Sequence, residues 1–392
     1  MKLVLIGGGG HVARAAAKVI RSHPLVSQLV FADIDAGAAA ESAAAAGEKA
    51  VSVRLDVRDR KALAELLAGA RCVLNLAGPY FEFGPLVLAA SMAAKVDYLD
   101  ICDDWEPTLE MLAMGSAAQA AGITAILGMG SSPGVSNLLA KKAMSRLSRV
   151  DKVYTLWQAG EPDRGFVQAH TDHKRPGRAS AALVHGVIQM TGKIKAFRGG
   201  TWSDVTPLSK VDIDVPELGP IRGAIFGHPE PITLPRFARV RDEALCLVML
   251  TQSWHGLHER YIFPLNQQHS IDYQQAADTY LNGAASFIAE GGLVPDNTFA
   301  KIPRSFAYAE GEAQGVARTV AAWLTGRPAG GMPEVTGTPL AVALSMMLDG
   351  QLSKPGVWAP EDCIDVERFF ERYRAYCAMS DDKRELVHLA ER

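Results

Sequence analysis

Short apolar runs alternate with amphipathic segments of helical spacing through the first third of the chain. The apolar run from Leu3 to Ile6 is typical of a strand buried on both faces, and apolar positions then recur at helical spacing from Val12 to Ile20. The alternation continues, with further predicted strands at 28–32, 51–55, 72–76, 98–101 and 123–127. Six β/α units in succession predict an α/β fold with a Rossmann-type doubly wound parallel sheet.

Four consecutive glycines, Gly7 to Gly10, join the first predicted strand to the first helix. Gly8, Gly10 and Ala13 fit the G-x-G-x-x-G/A pattern of a dinucleotide-binding turn. In such a turn the glycines let the backbone approach the pyrophosphate, and the helix N-terminus directs its N–H groups at the phosphates. The predicted cofactor contacts of this turn are Gly7, Gly8, Gly10, His11, Val12 and Ala13.

The second predicted strand ends on Asp33, about twenty residues beyond the glycines. An acid at this place can bind the hydroxyls of the adenosine ribose. A carboxylate would repel a 2′-phosphate, and the following Ile34 and Asp35 supply no arginine to bind one. We therefore expect NAD as the cofactor, with NADP as the less favoured alternative.

In a doubly wound sheet the ligand lies beyond the carboxyl ends of the strands, so the residues after each strand are the candidates for binding. Cofactor contacts are predicted after strands three, four and six, at Asp56, Val57, Asn75, Ala77, Gly78, Pro79, Ser132 and Pro133. Substrate contacts are predicted at Tyr80, Cys102, Asp104, Asn137 and, further along the chain, Arg175. Asp103 and Asp104 also fit the ordinary role of capping the helix that follows strand five.

The regular alternation of predicted strands and helices ends at about residue 150. Strand-like pieces at 153–157 and 245–250 mix with loops rich in Gly and Pro and with helical patterns, which recur in the last fifty residues. We predict an NAD(P)-binding Rossmann domain over 1–132 and an α+β substrate and dimerisation domain over 133–335. C-terminal helices over 336–392 are expected to return to the first domain, and the protein is expected to be a homodimer.

Composition and charge narrow the choice of partners. The 392 residues are 48% hydrophobic and 21% charged with a net charge of −3, so no basic surface for nucleic acid is expected. No apolar stretch approaches the roughly 20 residues that cross a bilayer, and the N-terminus is already a strand rather than a signal peptide. Five scattered cysteines without C-x-x-C spacing favour a reduced, cytoplasmic location.

Four motifs lie near the predicted sheet edge: Asn75-Leu76-Ala77-Gly78-Pro79, Tyr98-Leu99-Asp100-Ile101, Ala121-Gly122-Ile123 and Gly130-x-x-Pro133-Gly134-x-x-Asn137. Through these motifs residues 1 to about 140 resemble the saccharopine dehydrogenase/reductase-like family, which includes saccharopine reductase, lysine 6-dehydrogenase and carboxynorspermidine dehydrogenase. The resemblance returns at 336–339 and 356–361. Members of the saccharopine reductase and carboxynorspermidine type carry a Tyr-Lys-Phe-Ser-Trp-Ser stretch in the middle, where this chain has other residues. The resemblance therefore implies the cofactor and leaves the substrate open.

The resemblance implies hydride transfer between a nicotinamide ring and an amine-bearing carbon, through an imine. The implied substrate is an amino acid or an opine-like N-substituted amino acid, and a lysine 6-dehydrogenase-like or polyamine-type amine dehydrogenase is the alternative enzyme. A carboxylate beside the amine can hold it or stabilise the iminium, so Asp103 is the first catalytic candidate and Asp100 the second. His170 is a further candidate, as a general base. A non-catalytic NAD-binding sensor or scaffold is the alternative of another class.

The sequence gives weaker support for three other kinds of site: a hydrolase site, a metal site and a thiolate nucleophile. Gly130 to Gly134 matches the G-x-S-x-G of hydrolases, but Pro133 follows the serine and has no N–H for an oxyanion hole. His170 and His173 have no third ligand at zinc spacing, so no metal is predicted. A thiolate-dependent dehydrogenase would need Cys102 as its nucleophile. The position of Cys102 after strand five is the single observation in favour of this role.

Overall fold

The computed structural model describes residues 1–172, 179–379 and 385–392. The chain divides into two compact units, one comprising 1–142 with 324–388 and the other 143–323 with 389–392. Among the helices that the structure describes, none is long and apolar enough to cross a membrane.

Strands and helices alternate regularly in the first unit and less regularly in the second. The described strands are β1 (Lys2–Ile6), β2 (Gln28–Asp33), β3 (Ala50–Arg54), β4 (Cys72–Asn75), β5 (Asp97–Asp100), β6 (Thr124–Ile126), β7 (Arg149–Gln158), β8 (Ile194–Arg198), β9 (Thr201–Val205), β10 (Lys210–Val215), β11 (Gly219–Ile225), β12 (Glu243–Met249), β13 (Ser305–Ala313), β14 (Val316–Leu324), β15 (Gly326–Pro328), β16 (Gly356–Trp358), β17 (Cys377–Met379) and β18 (Val387–Glu391).

The described helices are α1 (His11–Ile20), α2 (Ala36–Ala46), α3 (Arg60–Leu67), α4 (Tyr80–Ala94), α5 (Trp105–Ala113), α6 (Gly115–Ala121), α7 (Val135–Met144), α8 (Arg164–Asp172), α9 (Ala181–Gln189), α10 (Glu230–Ala238), α11 (Gln252–Tyr261), α12 (Tyr273–Ala289), α13 (Met332–Leu348), α14 (Pro360–Cys363) and α15 (Val366–Arg374). A 3-10 turn follows α11 at Phe263–Gln267.

The first unit is built on a seven-stranded sheet in the order β16-β6-β5-β4-β1-β2-β3. Every neighbouring pair is parallel, which confirms the predicted doubly wound sheet. The strand order reverses between β1 and β4, and such a reversal opens a crevice for ligands beyond the carboxyl ends. The hydrophobic pattern does not predict β16, because this strand is only three residues long and pairs with β6 from far along the chain.

Small side chains let the helices of the first unit pack closely. Leu3 to Ile6 are at most 1% exposed, so β1 is buried on both faces, and α1 packs through the fully buried Ala13 and Ala16. Helix α13 crosses α1 at Gly337, where a Cβ would lie only 2.7 Å from the carbonyl oxygen of Val12. The C-terminal segment of this unit therefore packs directly against the predicted cofactor helix.

The second unit is α+β, as predicted, with a nine-stranded mixed sheet. The strand order is β10-β11-β12-β7-β13-β14-β18, and the β8–β9 hairpin attaches to β12. Strands β7 and β12 are parallel, whereas the hairpins are antiparallel. Arg392, directly after β18, donates to Asp214 Oδ2 of β10 at 2.8 Å. The two edges of the sheet therefore approach each other, and the sheet curls around an apolar core.

Candidate active site

The glycine turn is packed tightly between β2 and the loop after β4. Gly7 has a positive φ of 75°, and a Cβ there would lie 2.6 Å from the backbone of Leu76. A Cβ on Gly8 would lie 2.8 Å from the Cα of Phe31. Side chains are thus excluded from both positions by neighbouring backbone, and this close packing fixes the shape of the turn.

The N-terminus of α1 has room for an anion. Gly10 occupies the N-cap position and supplies no side-chain hydrogen bond, and the first turn of the helix contains no acidic residue. A Cβ on Gly10 would approach only the Gly7 oxygen, at 3.2 Å, so the outer side of the turn is open. The arrangement fits a phosphate group, which would accept hydrogen bonds from the helix N–H groups. His11 is exposed, Val12 half-buried and Ala13 buried at this end of the helix.

Asp33 is tied to the glycine turn by a direct hydrogen bond. Its Oδ2 accepts the N–H of Gly9 at 3.0 Å, and its Oδ1 accepts the N–H of Asp35 at 3.0 Å. Asp35 in turn caps α2 through the N–H of Ala38. The carboxylate predicted to bind the ribose is therefore held beside the turn predicted to bind the pyrophosphate.

Side chains of the β4 loop mainly shape the loop itself. Asn75 Oδ1 accepts the N–H of Ala77 at 3.3 Å, and Asn75 Nδ2 donates to the Tyr98 hydroxyl at 3.1 Å. Tyr80 is buried and donates to the carbonyl oxygen of Asn75 at 3.0 Å. Contacts to a ligand from this loop would come from the backbone at the half-buried residues 77–79.

The loop after β3 lies nearer the surface. Asp56 is half-buried, and its Oδ1 accepts the N–H of Arg58 at 3.0 Å. Val57 is buried in the core of the first unit. Arg58 also pairs with Glu82 at the start of α4, so an ion pair joins the loop after β3 to that helix.

Asp100 is a buried carboxylate at the end of β5 with three hydrogen-bond donors. Its Oδ1 accepts the N–H groups of Cys102 at 3.0 Å and Gly128 at 2.6 Å, and its Oδ2 accepts the Tyr98 hydroxyl at 2.8 Å. Burial nevertheless raises the pKa of Asp100 from 3.8 to about 6, and the nearby negative charge of Asp103 contributes to the rise. This carboxyl group can therefore exchange a proton near neutral pH.

The remaining residues of the β5 loop differ in exposure. Asp103 is half-buried, whereas Asp104 and Cys102 are buried. Asp104 occupies the N-cap position of α5, but its side chain makes no N-cap hydrogen bond. Burial raises the pKa of the Cys102 thiol well above its ordinary range, and the thiol lies 3.5 Å from the Asp104 carbonyl oxygen. A thiolate nucleophile is therefore not supported at this position.

The loop after β6 is closed by a buried amide and a buried acid. Asn137 Oδ1 accepts the N–H of Gly134 at 2.8 Å, and its Nδ2 donates to Glu361 Oε2 at 2.9 Å. Glu361 lies in α14, directly after β16, and is fully buried. Ser132 is half-buried and Pro133 buried in the same loop. Glu361 was not among the predicted site residues, because its partner lies more than 200 positions earlier in the chain.

Comparison with known proteins shows which family the first unit resembles. Residues 3–126 match the family model described as the saccharopine dehydrogenase NADP-binding domain. This part of the chain is therefore similar to the cofactor domain of the saccharopine dehydrogenase-like family. The match indicates a nicotinamide dinucleotide as the cofactor.

The similarity to individual members extends over nearly the whole chain. Carboxyaminopropylagmatine dehydrogenase of Synechocystis sp. is 22% identical, over 95% of this chain and 94% of the relative. Apo saccharopine dehydrogenase (L-Glu forming) from Saccharomyces cerevisiae has the same fold, with a TM-score of 0.64 and 16% identity. That alignment covers all of this chain and 99% of the yeast chain.

One predicted site residue, His170, belongs to the second unit. His170 lies on α8, with its Nδ1 at 3.0 Å from Ser180 Oγ and its ring against Phe166 at a centroid distance of 4.7 Å. Arg175 lies outside the described residues, as does His173. His170 thus remains a candidate base whose ring is oriented by a hydroxyl group and an aromatic neighbour.

The structure also brings together polar residues that were not predicted as a site. His228, Glu230 and Cys246 are buried in the second unit, and each offers a ligand atom within 4.8 Å of the others. We call these three residues the His228 cluster. They have no local spacing pattern, since they come from the loop after β11, the start of α10 and the middle of β12.

Proposed function

We propose that this protein is an NAD-dependent dehydrogenase of an amine-bearing carbon in an amino acid or an opine-like N-substituted amino acid. The observation that carries the proposal is the buried carboxyl of Asp100, beside Asp103, at the carboxyl edge of a sheet that resembles the cofactor domain of the saccharopine dehydrogenase-like family. Groups that exchange protons near neutral pH are what interconversion of an amine and an imine requires.

The residues at the sheet edge fit the cofactor. The N-terminus of α1 would bind the pyrophosphate, and Asp33 would accept the hydroxyls of the adenosine ribose. When bound, the nicotinamide ring supplies or accepts the hydride. Although the family description mentions NADP, Asp33 is followed by Ile34 and by Asp35, so the residues nearest the ribose offer no positive charge for a 2′-phosphate. This supports NAD.

Asp103 is proposed to hold the substrate amine. Hydride can leave the carbon only when the nitrogen is neutral, so a proton must first move from the ammonium to a base. Asp103 is half-buried and therefore accessible, whereas Asp100 is fully buried at the end of β5. We assign the contact with the amine to Asp103 and a supporting role to Asp100, which modulates the charge of the loop through its own protonation. His170 is the candidate base of the second unit.

The names of the relatives suggest a class of substrate for this chain. They act on carboxyaminopropylagmatine and on saccharopine, by their names. We therefore place the substrate of this chain among amines that carry an amino-acid group. We also propose a homodimer, which light scattering of the purified protein tests.

The experiment is a cofactor titration followed by a substrate screen. We expect NADH to bind more tightly than NADPH, and NAD⁺ to be reduced with saccharopine, carboxyaminopropylagmatine, lysine, ornithine or a polyamine. Asp103→Asn should lower kcat at least tenfold on the active substrate, while the control Glu110→Gln, on the exposed side of α5, should not. Failure to bind either dinucleotide contradicts the proposal, and tight binding without turnover of any amine favours a non-catalytic NAD-binding protein.

A further inference from the structure

The His228 cluster has the composition of a divalent metal site. We propose that His228, Glu230 and Cys246 bind one Zn²⁺ ion inside the second unit. Imidazole, carboxylate and thiolate are the three ligand types of protein zinc sites, and the donor atoms of a tetrahedral site lie about 3–4 Å apart. The ligand atoms of the three side chains all lie within 4.8 Å of one another, so small side-chain rotations would bring them to this spacing around an ion.

The fold holds the three residues in place from separate elements. The N–H of Phe226 donates to the carbonyl oxygen of Cys246 at 2.9 Å, so the chain leaving β11 stays alongside β12. Helix α10 begins with Glu230 and packs on β12. The His228 Nδ1 then lies 2.9 Å from Glu230 Oε2. The cluster is therefore anchored by backbone pairing on one side and by a packed helix on the other.

Because the His228 cluster is buried, the charges of its side chains and of any bound ion must nearly cancel. His228 is 4% exposed, and Glu230 and Cys246 are not exposed at all. An ionised carboxylate in such a place must be compensated by a positive charge. One Zn²⁺ ion bound by a thiolate, a carboxylate and a neutral imidazole has no net charge. The soft thiolate ligand favours Zn²⁺ over Mg²⁺ or Ca²⁺, which prefer oxygen ligands only.

Two buried polar atoms beside the cluster point to a further group at this place. Thr155 on β7 is fully buried and pairs in register with Cys246, so their side chains lie on the same face of the sheet. Its Oγ1 has no hydrogen-bond partner among the described residues, and neither has the buried Nε1 of Trp157, whose ring lies 6.2 Å from that of His228. Three protein ligands leave a fourth zinc position for solvent, which could satisfy such atoms.

The test measures metal binding by the full-length protein, independently of turnover. The purified chain is treated with a chelator, dialysed and titrated with Zn²⁺ or Co²⁺. We expect one ion per chain, a higher melting temperature with Zn²⁺, and a thiolate-to-cobalt charge-transfer band with Co²⁺. Cys246→Ser should abolish the band and weaken binding at least tenfold. The control Cys377→Ser, at a half-buried cysteine of the other unit, should retain both.

Several results would overturn the proposal. Wild-type protein that is folded, yet binds neither ion stoichiometrically, has no such site. A cobalt complex without a thiolate band, or one that Cys246→Ser leaves unchanged, places the ion elsewhere. If Cys246→Ser does not fold, Glu230→Gln decides instead, because it preserves the shape of the side chain and removes the ligand charge. Its zinc affinity must then fall at least tenfold, and an unchanged affinity refutes the site.

Discussion

Tyr98 donates its hydroxyl to the carboxylate of Asp100 at 2.8 Å, from two residues earlier on the same strand. Residues two apart on a strand share a face, so the hydroxyl reaches the carboxylate without any distortion of β5. Asn75 at the end of β4 donates to the same hydroxyl. This chain of hydrogen bonds joins the ends of two neighbouring strands, and it places a carboxyl group of raised pKa at the proposed active site.

Replacing Asp100 should change how stability depends on pH. Because burial raises the pKa of Asp100 from 3.8 to about 6, the native protein binds more protons than the unfolded chain between these values. Its contribution to stability is complete below pH 3.8 and is lost as the pH rises through about 6. Relative to Asp100→Asn, the free energy of unfolding of the wild type should therefore fall by about 2.4 kcal/mol between pH 4 and 7.

Urea unfolding at a series of pH values measures this difference. Tyr98→Phe is a useful companion variant, since it removes a hydrogen bond that lowers the pKa and should move the transition to a higher pH. A difference between wild type and Asp100→Asn that does not vary with pH would show that Asp100 is not the titrating group.

Replacing Asp33 should weaken NADH binding more than NADPH binding. Asp33→Asn can still accept the N–H of Gly9, so the glycine turn should persist while the charged acceptor for the ribose hydroxyls is lost. We expect the Kd for NADH to rise about tenfold, because hydrogen bonds to charged groups contribute about 1.5–3 kcal/mol. The Kd for NADPH should rise less or fall. Fluorescence titration measures both constants.

The neighbouring Asp35→Asn serves as the control for this experiment. Asp35 is exposed and caps α2 through Ala38, a role that asparagine fills equally well. Its dinucleotide affinities should match the wild type. Equal losses for NADH and NADPH in Asp33→Asn would mean that Asp33 acts only through the shape of the turn.

Adding one methyl group at Gly337 should destabilise the first unit. The Cβ would lie 2.7 Å from the Val12 oxygen and 2.9 Å from the Ala16 nitrogen, so α13 must move away from α1. Overpacking of this kind costs about 1–3 kcal/mol, which exceeds the gain in helix propensity. Chemical denaturation should show the loss, and NADH binding should weaken because α1 shifts.

Gly115→Ala is the matched control, because it also places alanine in a helix. The nearest atom to its Cβ would be the Val357 nitrogen, at 3.9 Å, which is ordinary contact. Its stability should equal or slightly exceed that of the wild type. Similar losses in both variants would assign the effect to glycine replacement in general rather than to the contact between helices.

Cys102 should be chemically inert in the folded protein. Because burial raises the pKa of its thiol, iodoacetamide at pH 7 should leave Cys102 unmodified in the native state and label it in urea. Cys102→Ala should keep kcat within a few-fold of the wild type. Peptide mass mapping and steady-state kinetics check these outcomes, and rapid labelling with loss of turnover would restore the thiolate mechanism.

The predictable part of the fold is the part with strong local patterns. Strands β1 and β4 are continuous apolar runs, and their predicted positions agree with the structure to within one residue. By contrast, no local pattern marks the break at Met114 between α5 and α6, and β16 is too short to show a hydrophobic period. Much of the second unit consists of short antiparallel strands whose partners no local pattern specifies.

The candidate site was predictable in position and less so in detail. Loops after parallel strands must meet at one edge, so Asp100, Asp103 and Asn75 could be placed there from sequence. Their roles could not, because the partners of Asn75 and the protonation of Asp100 depend on what surrounds them. Glu361 lies in a segment that resembles the family, but no local pattern linked it to Asn137, and none joined the residues of the His228 cluster.

The sequence by itself determined the class of the fold, the glycine turn and the acid at the end of β2. The glycine turn and the acid lie within about thirty consecutive residues, and the fold class follows from local patterns repeated along the first third of the chain, so spacing and residue type suffice. Only the tertiary structure decided that Asp33 binds Gly9, that Asp100 is buried enough to titrate near pH 6, and that His228 lies beside Glu230 and Cys246. Burial and long-range contact set these properties, and neither can be read from the order of the residues alone.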